Sequence, residues 1–223
     1  LARVVEAYRK FRNTLRYLAS NLYDFDPAAN RLGPASLQEV DRYILSLYGA
    51  TAHAGIQAYD SYDYPAIFQR LNQFLTVDLS AFYADVSKDR LYTLAAASPE
   101  RRSAQTAMYV MAEGLARLLA PILPVTADEL WRYLPSAASR EPSVHLALFP
   151  KDAAAFADAA IDERWTRLRG IRDEVNRALE TARQEKIIGT SLQAHVRFTA
   201  GGNAAALLTR YEADLPMLFI VSQ

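Results

Sequence analysis

The chain has 223 residues, 51% apolar and 22% charged, which is enough apolar surface for a sizeable core and excludes a disordered polar chain. Its 25 Lys and Arg balance 25 Asp and Glu, so a polyanionic partner must be met by a local patch and not by a global field. The absence of cysteine excludes disulfides and thiolate metal sites within this chain, and no apolar run reaches the roughly 18 residues of a membrane span, so the reading is of a cytoplasmic protein with no membrane partner.

The chain has no initiator Met and opens inside a helical period, which predicts a piece of a longer polypeptide. Val4, Tyr8, Phe11, Leu15, Leu18 and Leu22 recur every three or four positions and predict a helix with one buried stripe. Beside that stripe Arg9, Arg12 and Arg16 fall within about 60° of one another, and Asn13 points away from it. Ser36 and Glu39 have capping-box spacing ahead of Val40, Ile44, Leu47 and Tyr48. Asp63 and Pro65 open a third helix buried through Ile67, Leu71, Phe74, Leu75, Phe82 and Val86. Ser98-Pro99 opens a fourth, ended by Pro121 and Pro124, and Thr126 with Glu129 repeats the capping spacing before Leu130, Trp131 and Leu134.

The expected fold is therefore mainly α. A helical bundle spans 1–135, with Phe11, Leu15, Leu71, Phe74, Leu115 and Trp131 inside. A connecting segment over 136–160 contains an extended candidate, Val144–Phe149. Residues 161–223 are expected to form a small truncated α/β junction unit: a long helix from Asp162, a strand where Gln193–Phe198 alternates polar and apolar, a turn at Gly201-Gly202, a short helix, and a strand over Pro216–Val221.

Catalytic signatures are missing from the pattern. His53, His145 and His195 lie in different elements without metal-ligand spacing, Gly201-Gly202 lacks the glycine pattern of a phosphate loop, and no nucleophile elbow occurs. What remains is basic residues interleaved with aromatics and amides: Arg9, Lys10, Arg12, Asn13 and Arg16 on the first helix, and Lys88, Arg90 and Tyr92 beyond the third. Guanidinium and ammonium groups meet RNA phosphates, and Tyr or Arg stacks on unpaired bases. A solvated helix face has the same composition. Asn13 can read a base edge or hold neighbouring backbone.

The stretch YRKFRNTLRYLASNLYDFDP over Tyr8–Pro27 closely resembles the start of the anticodon-binding helical domain of the isoleucyl-tRNA synthetases, class I aminoacyl-tRNA synthetases. The resemblance continues through YDSYDY at Tyr59–Tyr64, FYADVSKDRLY at Phe82–Tyr92, LAPILP at Leu119–Pro124, ADELW at Ala127–Trp131, SVHL at Ser143–Leu146 and EKIIGTSL at Glu185–Leu192, nearly the whole chain. It implies that the basic face of the first helix positions phosphates of a tRNA(Ile) anticodon stem-loop. The His-Ile-Gly-His and Lys-Met-Ser-Lys-Ser signatures of the family's ATP site are not among these residues. The resemblance thus implies a recognition part that is catalytically silent alone and holds no cofactor. ATP–Mg belongs to the catalytic domain of the same polypeptide, and zinc to a C-terminal unit found in many members. The valyl and leucyl relatives usually carry Trp beside the Asn or Arg, where this chain has Arg12-Asn13-Thr14. The alternatives are a valyl or leucyl assignment, an all-α interaction scaffold without an RNA role, or a helical enzyme whose pocket would show as buried ionisable groups between helices.

Overall fold

The computed structural model describes residues 2–136 and 140–221, and the chain divides into two compact units, Leu1–Asp158 and Ala159–Gln223. The first unit is built from α1 (Ala2–Ser20), α2 (Pro27–Asn30), α3 (Glu39–Asp60), α4 (Tyr64–Gln73), a π-helical segment (Phe74–Tyr83), α5 (Ala84–Val86), α6 (Lys88–Tyr92), α7 (Pro99–Leu119) and α8 (Pro124–Tyr133). The second holds α9 (Ala159–Gln184), α10 (Gly202–Arg210) and α11 (Leu215–Phe219).

Apolar stripes force the first unit together. Phe11, Leu15, Leu71, Phe74, Leu115 and Trp131 are each exposed by 2% or less, and a fully buried side chain of this size contributes about 1.5–3 kcal/mol. The central helix is α7, whose Ala104, Ala107, Ala112 and Ala116 let neighbours approach closely. Gly114 is the extreme case: a Cβ there would lie 1.6 Å from the Tyr48 hydroxyl oxygen of α3. On the other side of α3 the chain over Lys151–Phe156 packs so closely that a Cβ on Gly49 would meet the Ala153 carbonyl oxygen at 2.5 Å.

Two helix starts follow the sequence reading. Asp63 accepts from the Ala66 N–H at 3.1 Å and Ser98 from the Arg101 N–H at 3.2 Å, each satisfying a first-turn donor. Two others differ. Gln38 precedes α3 and no side chain caps it; its N–H is taken instead by Ser103 Oγ of α7 at 2.8 Å. Leu123 precedes α8, so Thr126 lies inside the first turn and its hydroxyl pairs with Tyr8 at 3.1 Å. The stripe of α1 also stops short, because Val4 is 63% exposed and Tyr8 38%.

The third predicted helix changes gauge at Phe74, from α to π. Phe74, Leu75, Leu79, Phe82 and Tyr83 of this segment are buried.

The expected strands are corrected. Among the described residues there is no strand. Val144–Leu146 is a 3-10 turn, and Pro216–Phe219 lies within α11, where Pro216 supplies a first-turn position that needs no N–H partner. Residues 194–200 are irregular: Ala194 is buried and His195 and Arg197 are exposed, so the alternation is real, but no second strand offers a ladder. Phe198 instead packs its ring on Phe219 at 5.1 Å, and Trp165 of α9 meets Tyr211 edge-on at 5.7 Å.

Candidate nucleic-acid interface

The polar face of α1 splits into two flanks because the helix is wedged between the π-helical segment on one side and α8 on the other. On the first flank Lys10, Asn13 and Tyr17 line a groove of about 410 Å³ with Thr76 and Ser80 of the π-helical segment and Lys88 of α6. Residues widely separated in sequence thus share one concavity. Tyr17 donates to the Ala84 carbonyl at 3.1 Å, and burial, reinforced by neighbouring Tyr92, pushes its phenol above the ordinary range, so it stays neutral. Thr76 is spent on the Asn72 carbonyl at 2.7 Å, and Lys88 leans on Asp85 at 2.9 Å. The side chains of Lys10 and Asn13 are exposed and have no hydrogen-bond partner among the described residues, which leaves an ammonium and a two-sided amide open on the groove. The backbone role for Asn13 is therefore unfilled.

On the second flank the arginines are partly committed. Arg12 grips the Glu129 carboxylate of α8 through both terminal nitrogens, Nη2 donating to Oε1 at 2.8 Å. That hydrogen bond holds the Glu129 carboxyl below its ordinary value, with the charge of Arg16 adding to it. Arg9 pairs with Glu6 at 3.3 Å along the same helix. Arg16 is exposed and faces a second groove, of about 480 Å³, with Tyr23 and Tyr133.

Arg90 lies elsewhere from the surface the sequence assigned to it. It is buried, and donates to the Asp41 carboxylate of α3 through Nη1 at 2.7 Å and Nη2 at 2.8 Å. Asp41, fully buried, also accepts from the Tyr83 hydroxyl at 2.6 Å and from Ser103 Oγ. This network ties α3, the π-helical segment, α6 and α7 together, and so fixes Lys88 and Tyr92 on either side of Arg90. Tyr92 itself is 63% exposed. Asp24 forms a comparable knot: burial pushes its carboxyl up, but hydrogen bonds from Arg101 and Gln105 outweigh burial and keep it below the ordinary range.

Sequence reasoning missed Glu129, Asp41 and Asp24. Glu129 lies 117 residues from Arg12, and its spacing from Thr126 imitates a cap. Asp41 stands in the first turn of α3, where a helix-dipole acid is ordinary, so nothing local marks either as a long-range partner.

The first unit thus presents an amide and cations in an open groove, with Asp41 and Asp24 turned onto arginines. The sequence matches the family described as the anticodon-binding domain of tRNA ligase over residues 41–198, and the chain belongs to that family. Among curated relatives, the isoleucine–tRNA ligase of Geobacillus kaustophilus is 45% identical over 222 residues, that of Symbiobacterium thermophilum 44% over 225, and that of Geobacter sulfurreducens 43% over 223. Each alignment covers 100% of this chain and 24% of the relative, so the chain spans about a quarter of their length. No helix among the described residues is long and apolar enough to cross a membrane.

Proposed function

We propose that this chain is the tRNA-recognition part of an isoleucine–tRNA ligase and that it holds the anticodon stem-loop of tRNA(Ile). The observation that carries the reading is the convergence of Lys10, Asn13 and Lys88 on one groove in a domain of the anticodon-binding family. Lys10 and Lys88 neutralise phosphates and set register; the Asn13 amide, which can donate and accept at once, reads a base edge; Tyr92 offers a stacking face at the rim. With no net charge on the chain, affinity comes from this patch and falls steeply with salt.

ATP-dependent activation of isoleucine and its transfer to tRNA belong, in this reading, to the remaining polypeptide. Among the described residues no group of three or more His, Cys, Asp or Glu is arranged to hold a metal ion. A zinc unit, where present, lies in that remainder too.

The test is a titration of the 223-residue chain with anticodon stem-loops of tRNA(Ile), tRNA(Val) and tRNA(Leu) at fixed salt. Tightest binding to the isoleucine stem-loop is expected. Preference for the valine or leucine stem-loop reassigns the ligase, and equal weak binding to all three rejects the RNA role in favour of a scaffold.

A further inference from the structure

The second groove beside α1 contains an arrangement that the first groove does not need. Tyr23 is 82% exposed and Tyr133 75%, and both line the same concavity as Arg16. An exposed phenol ordinarily loses rotamer freedom when it binds a ligand. Tyr23 has that freedom removed in advance. Arg101, itself only 4% exposed, is anchored to the Asp24 carboxylate and through Nε to the Leu91 carbonyl at 3.1 Å. From that fixed position its Nη2 donates to the Tyr23 hydroxyl at 3.2 Å and its Cζ lies 5.8 Å from the Tyr23 ring centre. A buried guanidinium thus holds an aromatic ring out in solvent.

The chemistry around the ring is selective. Arg12 is occupied by Glu129, but Arg16 has no hydrogen-bond partner among the described residues and is left to meet an anion. Two aromatic faces and a guanidinium free of hydrogen bonds, beside a Glu129 carboxylate that Arg12 already pairs, match a single nucleotide in about 480 Å³: a flat base to stack and a phosphate to neutralise. We propose that this groove is a stacking subsite for one unpaired nucleotide, whose base lies against Tyr23 or Tyr133 and whose phosphate meets Arg16. The bound RNA then straddles α1, its phosphates on Lys10 and Lys88 along one flank and one splayed base on the other. This inference rests on the reading of the chain as an anticodon-binding part.

The experiment uses the whole chain and tRNA(Ile) anticodon stem-loops carrying 2-aminopurine at one loop position at a time. With wild type, one loop position is expected to change fluorescence on binding. In Tyr23→Ala or Tyr133→Ala that signal is expected to disappear and affinity to fall about 5- to 150-fold, the usual range for one lost stacking contact. Tyr133→Phe keeps the ring and should retain both, whereas Tyr23→Phe keeps the ring but loses the Arg101 hydrogen bond and should retain the fluorescence change with a smaller loss of affinity than Tyr23→Ala; circular dichroism establishes that each variant folds. Lys10→Ala/Lys88→Ala, measured in parallel, reports on the first groove. If that pair weakens binding while both Tyr→Ala variants leave affinity and fluorescence unchanged, the subsite is overturned and the RNA reading stands. If no variant alters binding, both are overturned.

Discussion

Replacing Arg90 with Met removes one half of a buried ion pair and leaves its partner in place. Asp41 is fully buried and accepts four hydrogen bonds, two from Arg90, one from Tyr83 and one from Ser103. After the substitution a carboxylate remains in the core with two neutral donors and no countercharge. Breaking a buried pair in this way costs about 3–5 kcal/mol. At roughly 2–4 °C per kcal/mol for a unit of this size, Arg90→Met should lower the melting temperature by about 6–20 °C. Urea unfolding followed by Trp131 fluorescence, in a Trp165→Phe background that silences the second unit, measures the loss directly. Adding Asp41→Asn to Arg90→Met removes the orphaned charge and should recover a large part of it. At a temperature where the variant is folded, the salt dependence of tRNA binding should be unchanged, because the guanidinium is inside the bundle. A stability loss under about 1 kcal/mol, or a shallower salt slope in the folded variant, would refute the placement of Arg90 as an internal tie.

Two glycines make opposite predictions. Gly114→Ala drives a methyl into the Tyr48 hydroxyl, so overpacking of about 1–3 kcal/mol should outweigh the roughly 1 kcal/mol gain in helix propensity and lower the melting temperature, whereas Gly170→Ala, with nothing within 4 Å, should raise stability by about 0.5–1 kcal/mol. Glu129 and Asp24 have folded pKa values below their ordinary ones, so their contribution is present above the ordinary carboxylate range and is lost as pH falls through the folded values. Urea midpoints measured from pH 6 down to pH 2.5 should therefore drop less steeply in Glu129→Gln and Asp24→Asn than in wild type, and parallel curves would show that these pairs are not linked to folding.

Helix existence was readable because a single-sided stripe is a local signal: Phe11, Leu15 and Leu18 announce the buried face of α1 whatever surrounds it. The caps at Asp63 and Ser98 were equally local, each needing only a side-chain oxygen and the next turn. Thr126 and Glu129 show where locality fails. The same residue types at the same spacing serve tertiary contacts when the neighbouring helix reaches them first, as Tyr8 reaches Thr126. The strand expectation at 193–198 failed for a related reason: alternation records which side faces the protein, and pairing depends on a second strand that no local pattern supplies. The candidate surface was half legible. Basic composition marked α1 and Lys88, but the division of α1 into an open flank and a tied one depends on Glu129, and the burial of Arg90 on Asp41, both far away in sequence.

The measurement that bears most directly on the central claim is the salt dependence of tRNA(Ile) stem-loop binding in Lys10→Ala/Lys88→Ala compared with wild type. Two lost phosphate contacts should weaken binding to every stem-loop and reduce the slope of log K against log salt by about 2, while Asn13→Ala leaves the slope alone and costs about 1–3 kcal/mol of anticodon discrimination. An unchanged slope and affinity in the double variant would contradict the account and remove the groove between α1 and the π-helical segment from the RNA-binding surface.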